Sequence, residues 1–179
     1  MSRYLKWAKK EHSEVARIIA LLPAGILFLI LLPYLLLVVS PSLDARLGMD
    51  RLNPSLASLI IGGILFVVGL VFAQWSIYCQ FTRGRGTPLP VIPTQRLLTT
   101  GPFKYCRNPM TLGTILAYLG LSLAAATSVG ILIVAALAGL LLVYLKRMEE
   151  KELAERFGEE YLEYRREVPF IIPRIPRKS

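Results

Sequence analysis

The chain reads as all-α, a polytopic helical membrane protein with four spans, or five helices if prolines break the first span. Three observations predict this. The 179 residues are 54% hydrophobic with a mean hydropathy of +0.53, too apolar for an ordinary soluble domain. Four apolar segments follow one another, and the basic residues gather on one side of them. The length suits one domain over 1–179, with N-terminal spans in 1–81 and a second half, 82–179, that carries the candidate chemistry.

Residues 1–15 mix Tyr4, Leu5 and Trp7 with Lys6, Lys9 and Lys10, which suits a short amphipathic lead-in at the membrane surface. Span one is read over Ala16 to Val39, 24 residues in which Arg17, near the start, is the single charge. That is too long for the apolar region of a signal peptide, so it is expected in the mature protein. Pro23 and Pro33 each remove a backbone donor, and a kink or break is expected there. Span two is read over Pro54 to Tyr78, 25 uncharged residues, with Asn53-Pro54 as its start signal. Its Gly62, Gly63 and Gly69 predict close helix packing.

A long Gly- and Pro-punctuated connection follows, RGRGTPLPVIPTQRLLTTGPFKYCRNP, without an acidic residue. It is too irregular for a helix, while Leu89, Val91, Ile92, Leu97 and Leu98 predict that it packs. Gly84-Arg85-Gly86 lacks the strand–turn–helix setting that gives a GxG meaning, so it reads as a basic turn. Asn108-Pro109 repeats the cap-and-proline device. Met110 to Ala126 and Val129 to Leu145, 17 residues each and separated by Thr127 and Ser128, predict a tight transmembrane hairpin.

Past Leu145 the last helix is expected to continue to Phe157, since Glu152 and Arg156 stand at helical spacing and Gly158 is a stop. A short helix carrying Tyr161 and Tyr164 comes next. The tail VPFIIPRIPRKS is too short to span and too rich in proline for a helix; lying on the membrane and folding back over the loop both remain open.

Of the 21 Lys and Arg residues, only Arg46 and Arg51 fall between spans one and two. The positive-inside rule therefore places both termini and the middle loop in the cytoplasm. The net charge of +9 is then a matter of topology, with anionic lipid headgroups as a further partner and no call for nucleic acid. One His and two Cys make no zinc set, so no metal is expected. Cys79 and Cys106 both fall on the cytoplasmic side, where a disulfide does not persist.

Chemistry is expected where QRLLTTGPFKYCRNP meets the hairpin and where Glu149 and Glu150 answer it at the far end. Arg107, just before span three, suits two-point binding of a carboxylate, or equally a lipid phosphate. The adjacent carboxylates gain from pairing beside so basic a loop, whereas Glu152, Glu155, Glu159 and Glu160 read as a solvated face.

The order Q-x-L-L-x-x-G-P-F-x-x-x-R-N-P, an apolar hairpin, then E-E-x-x-L-x-x-x-F-G-x-x-Y-x-x-Y resembles the C-terminal half of the isoprenylcysteine carboxyl methyltransferases. Related bacterial and archaeal membrane methyltransferases share it. The resemblance covers roughly Gln95 to Pro173; the first two spans match only as membrane helices. It implies a cytoplasmic pocket, built from the loop 82–109 and the C-terminal helices, for S-adenosylmethionine, with S-adenosylhomocysteine as product. Carried over, Gln95, Arg96, Leu97 and Leu98 line the nucleoside part, Phe103 adds an aromatic wall, Asn108, Pro109 and Met110 close it, and Glu149 bonds the ribose or amino group. Arg107 and Glu150 become the catalytic pair, a carboxylate clamp and the group that orients it.

The implied acceptor is lipid-like, first of all the C-terminal carboxylate of a prenylated cysteine. Asn108 stands where the eukaryotic pattern has His, and Thr111 where it has Tyr, which leaves the acceptor open. Competing readings are a phospholipid N-methyltransferase, which would need a base, an NADPH-dependent lipid reductase, which tends to carry Arg-Asp in place of Glu149-Glu150, and a non-enzymatic membrane scaffold.

Overall fold

The computed structural model describes residues 14–49, 54–84 and 94–175, and every regular element among them is helical. Residues 1–13 of the N-terminal lead-in, Asn53, most of Gly84-Arg85-Gly86, and the apolar residues Leu89, Val91 and Ile92 lie outside the described residues.

The first helix, α1, begins as Glu14–Ile26, passes through π-helical turns at Leu27–Leu31 and Leu35–Val39, and ends as Ser40–Leu47. Pro23 and Pro33 do not break it. Where a proline withholds an N–H, the ladder shifts register, so that the Leu32 amide bonds the carbonyl of Leu27 five residues back. The helix stops at Gly48, whose φ of 60° suits glycine.

The second helix, α2, spans Leu56–Thr82 and starts two residues later than Asn53-Pro54 predicts. Ser55 is its cap: its Oγ accepts from Ser58 N at 3.0 Å while Ser58 Oγ accepts from Ser55 N at 3.1 Å, satisfying two end donors at once. The third, α3, spans Pro109–Ala124. Asn108 sits at its N-cap position without a side-chain cap bond, because its amide is turned instead to the carbonyl of Phe170, 3.0 Å away.

Helices α2 and α3 touch backbone to backbone. A Cβ on Gly69 would stand 2.4 Å from Ala117 N, one on Gly113 2.5 Å from Ala73 N, and one on Gly62 2.6 Å from Gly120 O. This is the small-residue contact expected where lipid supplies no hydrophobic drive and approach distance decides packing. Gly63 takes no part, since it faces open space.

The fourth helix, α4, runs as Ser128–Tyr144, through a π-turn at Leu145–Glu149, into Glu150–Phe157. Its first amides are held by Thr127 Oγ1, which accepts from Gly130 N at 3.1 Å, and by Asp44 Oδ1 of α1, which accepts from Val129 N at 2.8 Å. Leu21–Leu47, Leu56–Thr82 and Ser128–Phe157 are each long and apolar enough to cross a membrane. The hairpin partner α3, at 16 residues, extends about 24 Å at 1.5 Å per residue, short of a full hydrocarbon core.

Gly158, at φ 59°, ends α4 and turns the chain into α5, Glu159–Glu167. The tail then folds back over the loop. Arg107 N donates to Pro169 O at 2.9 Å, Asn108 N to Phe170 O at 3.2 Å, and Arg174 N to Tyr105 O at 3.0 Å. The loop itself is closed at its base by Gln95 N on Gly84 O at 2.7 Å, and it packs Leu98 and Phe103 against Cys79 of α2.

Candidate active site

A cavity of about 190 Å³ opens between the end of α2, the loop, the start of α3 and the outer part of α4. Its lining changes character along its length. Phe28, Met110, Leu141 and Leu145 belong to the apolar helices, whereas Gln80, Arg107, Glu149, Glu150, Glu152 and Arg156 cluster at the charged end.

Arg107 is the centre of the charged end. One guanidinium nitrogen donates to the carbonyls of Arg165 at 2.8 Å and Val168 at 2.7 Å, and the other meets Glu150 Oε1. Phe170 lies against the guanidinium, 5.7 Å from ring centre to Cζ. Both members of the Arg107–Glu150 pair have side chains only 7% exposed, so the pair is shielded from water and each charge needs the other. Lys146, 3.1 Å from the second Glu150 oxygen and 54% exposed, adds a screened contact.

Arg156 forms a second tie, from α4 to the loop. Its guanidinium donates to the carbonyl of Thr94 and pairs with Glu152 at 3.2 Å. Glu152 therefore lines the cavity rather than standing on a solvated face, unlike the exposed Glu155, Glu159 and Glu160. From α5, Tyr164 donates its hydroxyl to Phe103 O at 2.7 Å and so locks the aromatic wall. Burial pushes the Tyr161 hydroxyl up to about 12 and the Tyr164 hydroxyl up as well, so both stay protonated as donors at neutral pH. Burial likewise raises the Cys106 thiol to about 11.

Two buried polar atoms in the lining have no hydrogen-bond partner: Gln80 Oε1, an acceptor, and Arg107 Nε, a donor. Orphaned groups of this kind cost free energy in a folded protein unless a ligand satisfies them.

Of the residues predicted for the site, Arg107, Glu150, Leu97, Leu98, Phe103, Asn108, Pro109, Met110 and Glu149 line the one cavity together. Gln95 and Arg96 stand outside the lining. Gln95 closes the loop base through its backbone, and Arg96 is exposed. Sequence reasoning passed over Phe28, Gln80, Thr94 and Arg156. Only Arg156 had a signal, its helical spacing from Glu152, and it was read as a surface pair.

Fold and site define an integral membrane protein in which an apolar helical hairpin carries a charged, partly buried cavity at one end. The chain belongs to the phospholipid methyltransferase family, whose profile matches residues 57–160. A methanethiol S-methyltransferase of Crocosphaera subtropica is 29% identical over 109 residues, 61% of this chain and 39% of that protein. Methanethiol S-methyltransferase 2 of Bradyrhizobium diazoefficiens is 36% identical over 104 residues, 58% of this chain and 38% of that protein. The chain thus spans about two fifths of the length of these curated relatives. These matches bear out the resemblance to membrane methyltransferases carried by the two motifs.

Proposed function

We propose that the chain is an S-adenosylmethionine-dependent methyltransferase whose acceptor is lipid-like, with the carboxylate of a prenylated cysteine as first candidate. The observation that carries this is the two-natured cavity, apolar where it meets the spans and provided at its charged end with an unsatisfied acceptor on Gln80 and donor on Arg107. S-adenosylmethionine has matching parts, an exocyclic amine for Gln80 and a ribose or amino group for Glu149, which leaves Arg107 Nε for the acceptor's carboxylate. Leu97, Leu98 and Phe103 suit the faces of its base. In this reading α3 is a fourth span beside the three longer ones. The same reading takes the cavity and both termini to face the cytoplasm, supported by the excess of Lys and Arg in the sequence on that side of the spans.

When bound, the donor supplies an electrophilic methyl on a sulfonium, and transfer leaves the bond's electron pair on sulfur as S-adenosylhomocysteine. A carboxylate acceptor, with a pKa of about 3.5, is ionised at neutral pH and needs no general base. The chain's work is then alignment and exclusion of water, which proximity effects make worth up to about 7 to 11 kcal/mol. Arg107 positions the carboxylate through Nε, and Glu150 holds the guanidinium plane.

A thiol acceptor is the second reading, favoured by the names of the two relatives. It must lose its proton before its sulfur attacks, and the Glu149–Glu150 pair is the base within the cavity.

Calorimetric titration of the solubilised protein with S-adenosylhomocysteine and with NADPH tests the donor. Transfer of labelled methyl to S-farnesylcysteine, methanethiol and phosphatidylethanolamine tests the acceptor. Binding of NADPH alone would replace the proposal with a reductase, and binding of neither would favour a scaffold.

A further inference from the structure

Phe28 is the one described cavity-lining residue that comes from α1, and it precedes the stretch shared with the family, 57–160. Its placement is unusual in its cause. The Leu32 amide bonds Leu27 O, so the donor in register for Phe28 O is residue 33, a proline with no N–H. The hydroxyl of Tyr118 on α3 donates to Phe28 O instead. Tyr118 lies nine residues beyond Pro109, about 13 Å along α3 at 1.5 Å per residue, whereas Met110 and Thr111 line the cavity at the start of that helix. Phe28 is therefore pinned at the deep, apolar end, on the far side of the cavity from the Arg107–Glu150 pair. Its neighbours Leu27 and Leu29 are 43% and 68% exposed while Phe28 is half-buried, so helical phase turns Phe28 inward and the carbonyl tie holds that stretch of α1 against α3.

We infer that Phe28 is the floor of the acceptor site and sets the length of apolar chain it accepts, with Tyr118 as the positioning residue that holds it there. This rests on the methyltransferase reading for its substrate. A floor built from the first helix lets length selection vary while the 57–160 stretch keeps its chemistry.

The test uses the full chain in lipid nanodiscs and two graded series, n-alkanethiols from methanethiol to dodecanethiol and N-acetyl-S-alkylcysteines with the same alkyl chains. Phe28→Ala should raise kcat/KM for the longest productive member relative to the shortest by about tenfold, the gain from burying roughly two further methylenes. Tyr118→Phe should shift the same ratio the same way and by less, and neither change should alter S-adenosylhomocysteine affinity more than about twofold, within the tenfold that 1.4 kcal/mol represents. Length profiles that superimpose on the wild type would overturn the inference.

A second readout needs no turnover. In Phe28→Cys, alkylation by a membrane-permeant maleimide should be slowed by long members of either series and not by short ones, with Cys79 and Cys106 silent because they are buried. Equal protection at all lengths, or none, would overturn it. Failure of the wild type to bind S-adenosylhomocysteine would instead sink the methyltransferase reading, and the protection profile would still report on Phe28.

Discussion

Replacing Glu150 with Ala removes the carboxylate that faces Arg107 and leaves a guanidinium 7% exposed and still tied to the carbonyls of Arg165 and Val168. Arg107 has no route to water without surrendering those bonds. Breaking one side of a buried pair costs about 3 to 5 kcal/mol, because the remaining charge is uncompensated. Loss of the Lys146 contact adds little, since Lys146 is 54% exposed and stays hydrated. At about 2 to 4 °C per kcal/mol for a chain of this size, the unfolding midpoint should fall by roughly 6 to 20 °C. Glu150→Gln keeps an acceptor and should lose less, while Arg107→Met with Glu150→Leu should regain most of the stability and none of the methyl transfer. Thermal unfolding in one detergent, combined as a double-mutant cycle, measures this. A coupling energy under about 0.5 kcal/mol, the additivity limit for independent sites, would refute the view of the pair as a shielded unit. The same contacts make Arg107→Ala a stability variant as well as a probe of transfer.

Gly113→Val should separate α2 from α3, since even its Cβ would meet Ala73 N at 2.5 Å and Gly69 O at 2.6 Å, backbone atoms that cannot turn aside. Overpacking of this kind costs about 1 to 3 kcal/mol or more, read as a lowered unfolding midpoint, whereas Gly63→Val, in open space, should not lower it. Asp44→Ala removes a cap from the first turn of α4 and should cost about 1 kcal/mol without changing S-adenosylhomocysteine affinity. Cys106 should resist thiol reagents at neutral pH until the protein unfolds, and its raised pKa has a linkage consequence. Above about 9 the unfolded thiol ionises while the folded one holds its proton to about 11, so stability should fall with rising pH across that window and be unaffected by this thiol below it. Cys106→Ala should remove this thiol's share of the slope in denaturant titrations, read between about 9 and 10, below the range where the buried Tyr161 and Tyr164 hydroxyls add a slope of the same sign.

How much of this was legible depended on the range of the forces involved. The end of α4 and the start of α5 followed from local chemistry: helical spacing of Glu152 and Arg156, and a glycine at 158 free to take φ 59°. The pairing of Arg107 with Glu150 was anticipated only through the motif, because 43 residues separate them and nothing local links them. Asn108 misled, since the cap-and-proline pattern predicts a side chain turned to its own helix, and the returning tail offered its amide a better partner in Phe170 O. Pro33 misled similarly, because a distant hydroxyl on Tyr118 compensates the bond it removes.

By itself the sequence determined the apolar helices, the side on which charge collects, and the set of residue types available at the hairpin's charged end. Those follow from burial, backbone saturation and charge, which act on composition and near neighbours. Tertiary structure decided which polar atoms were left unsatisfied in the cavity, that Glu152 and Arg156 belong to its wall, and that Phe28 of α1 joins its lining. The reason is that hydrogen-bond satisfaction and close packing depend on which segments meet. Here the meeting of α1 with α3, and of the tail with the loop, is set by contacts between residues far apart in the chain.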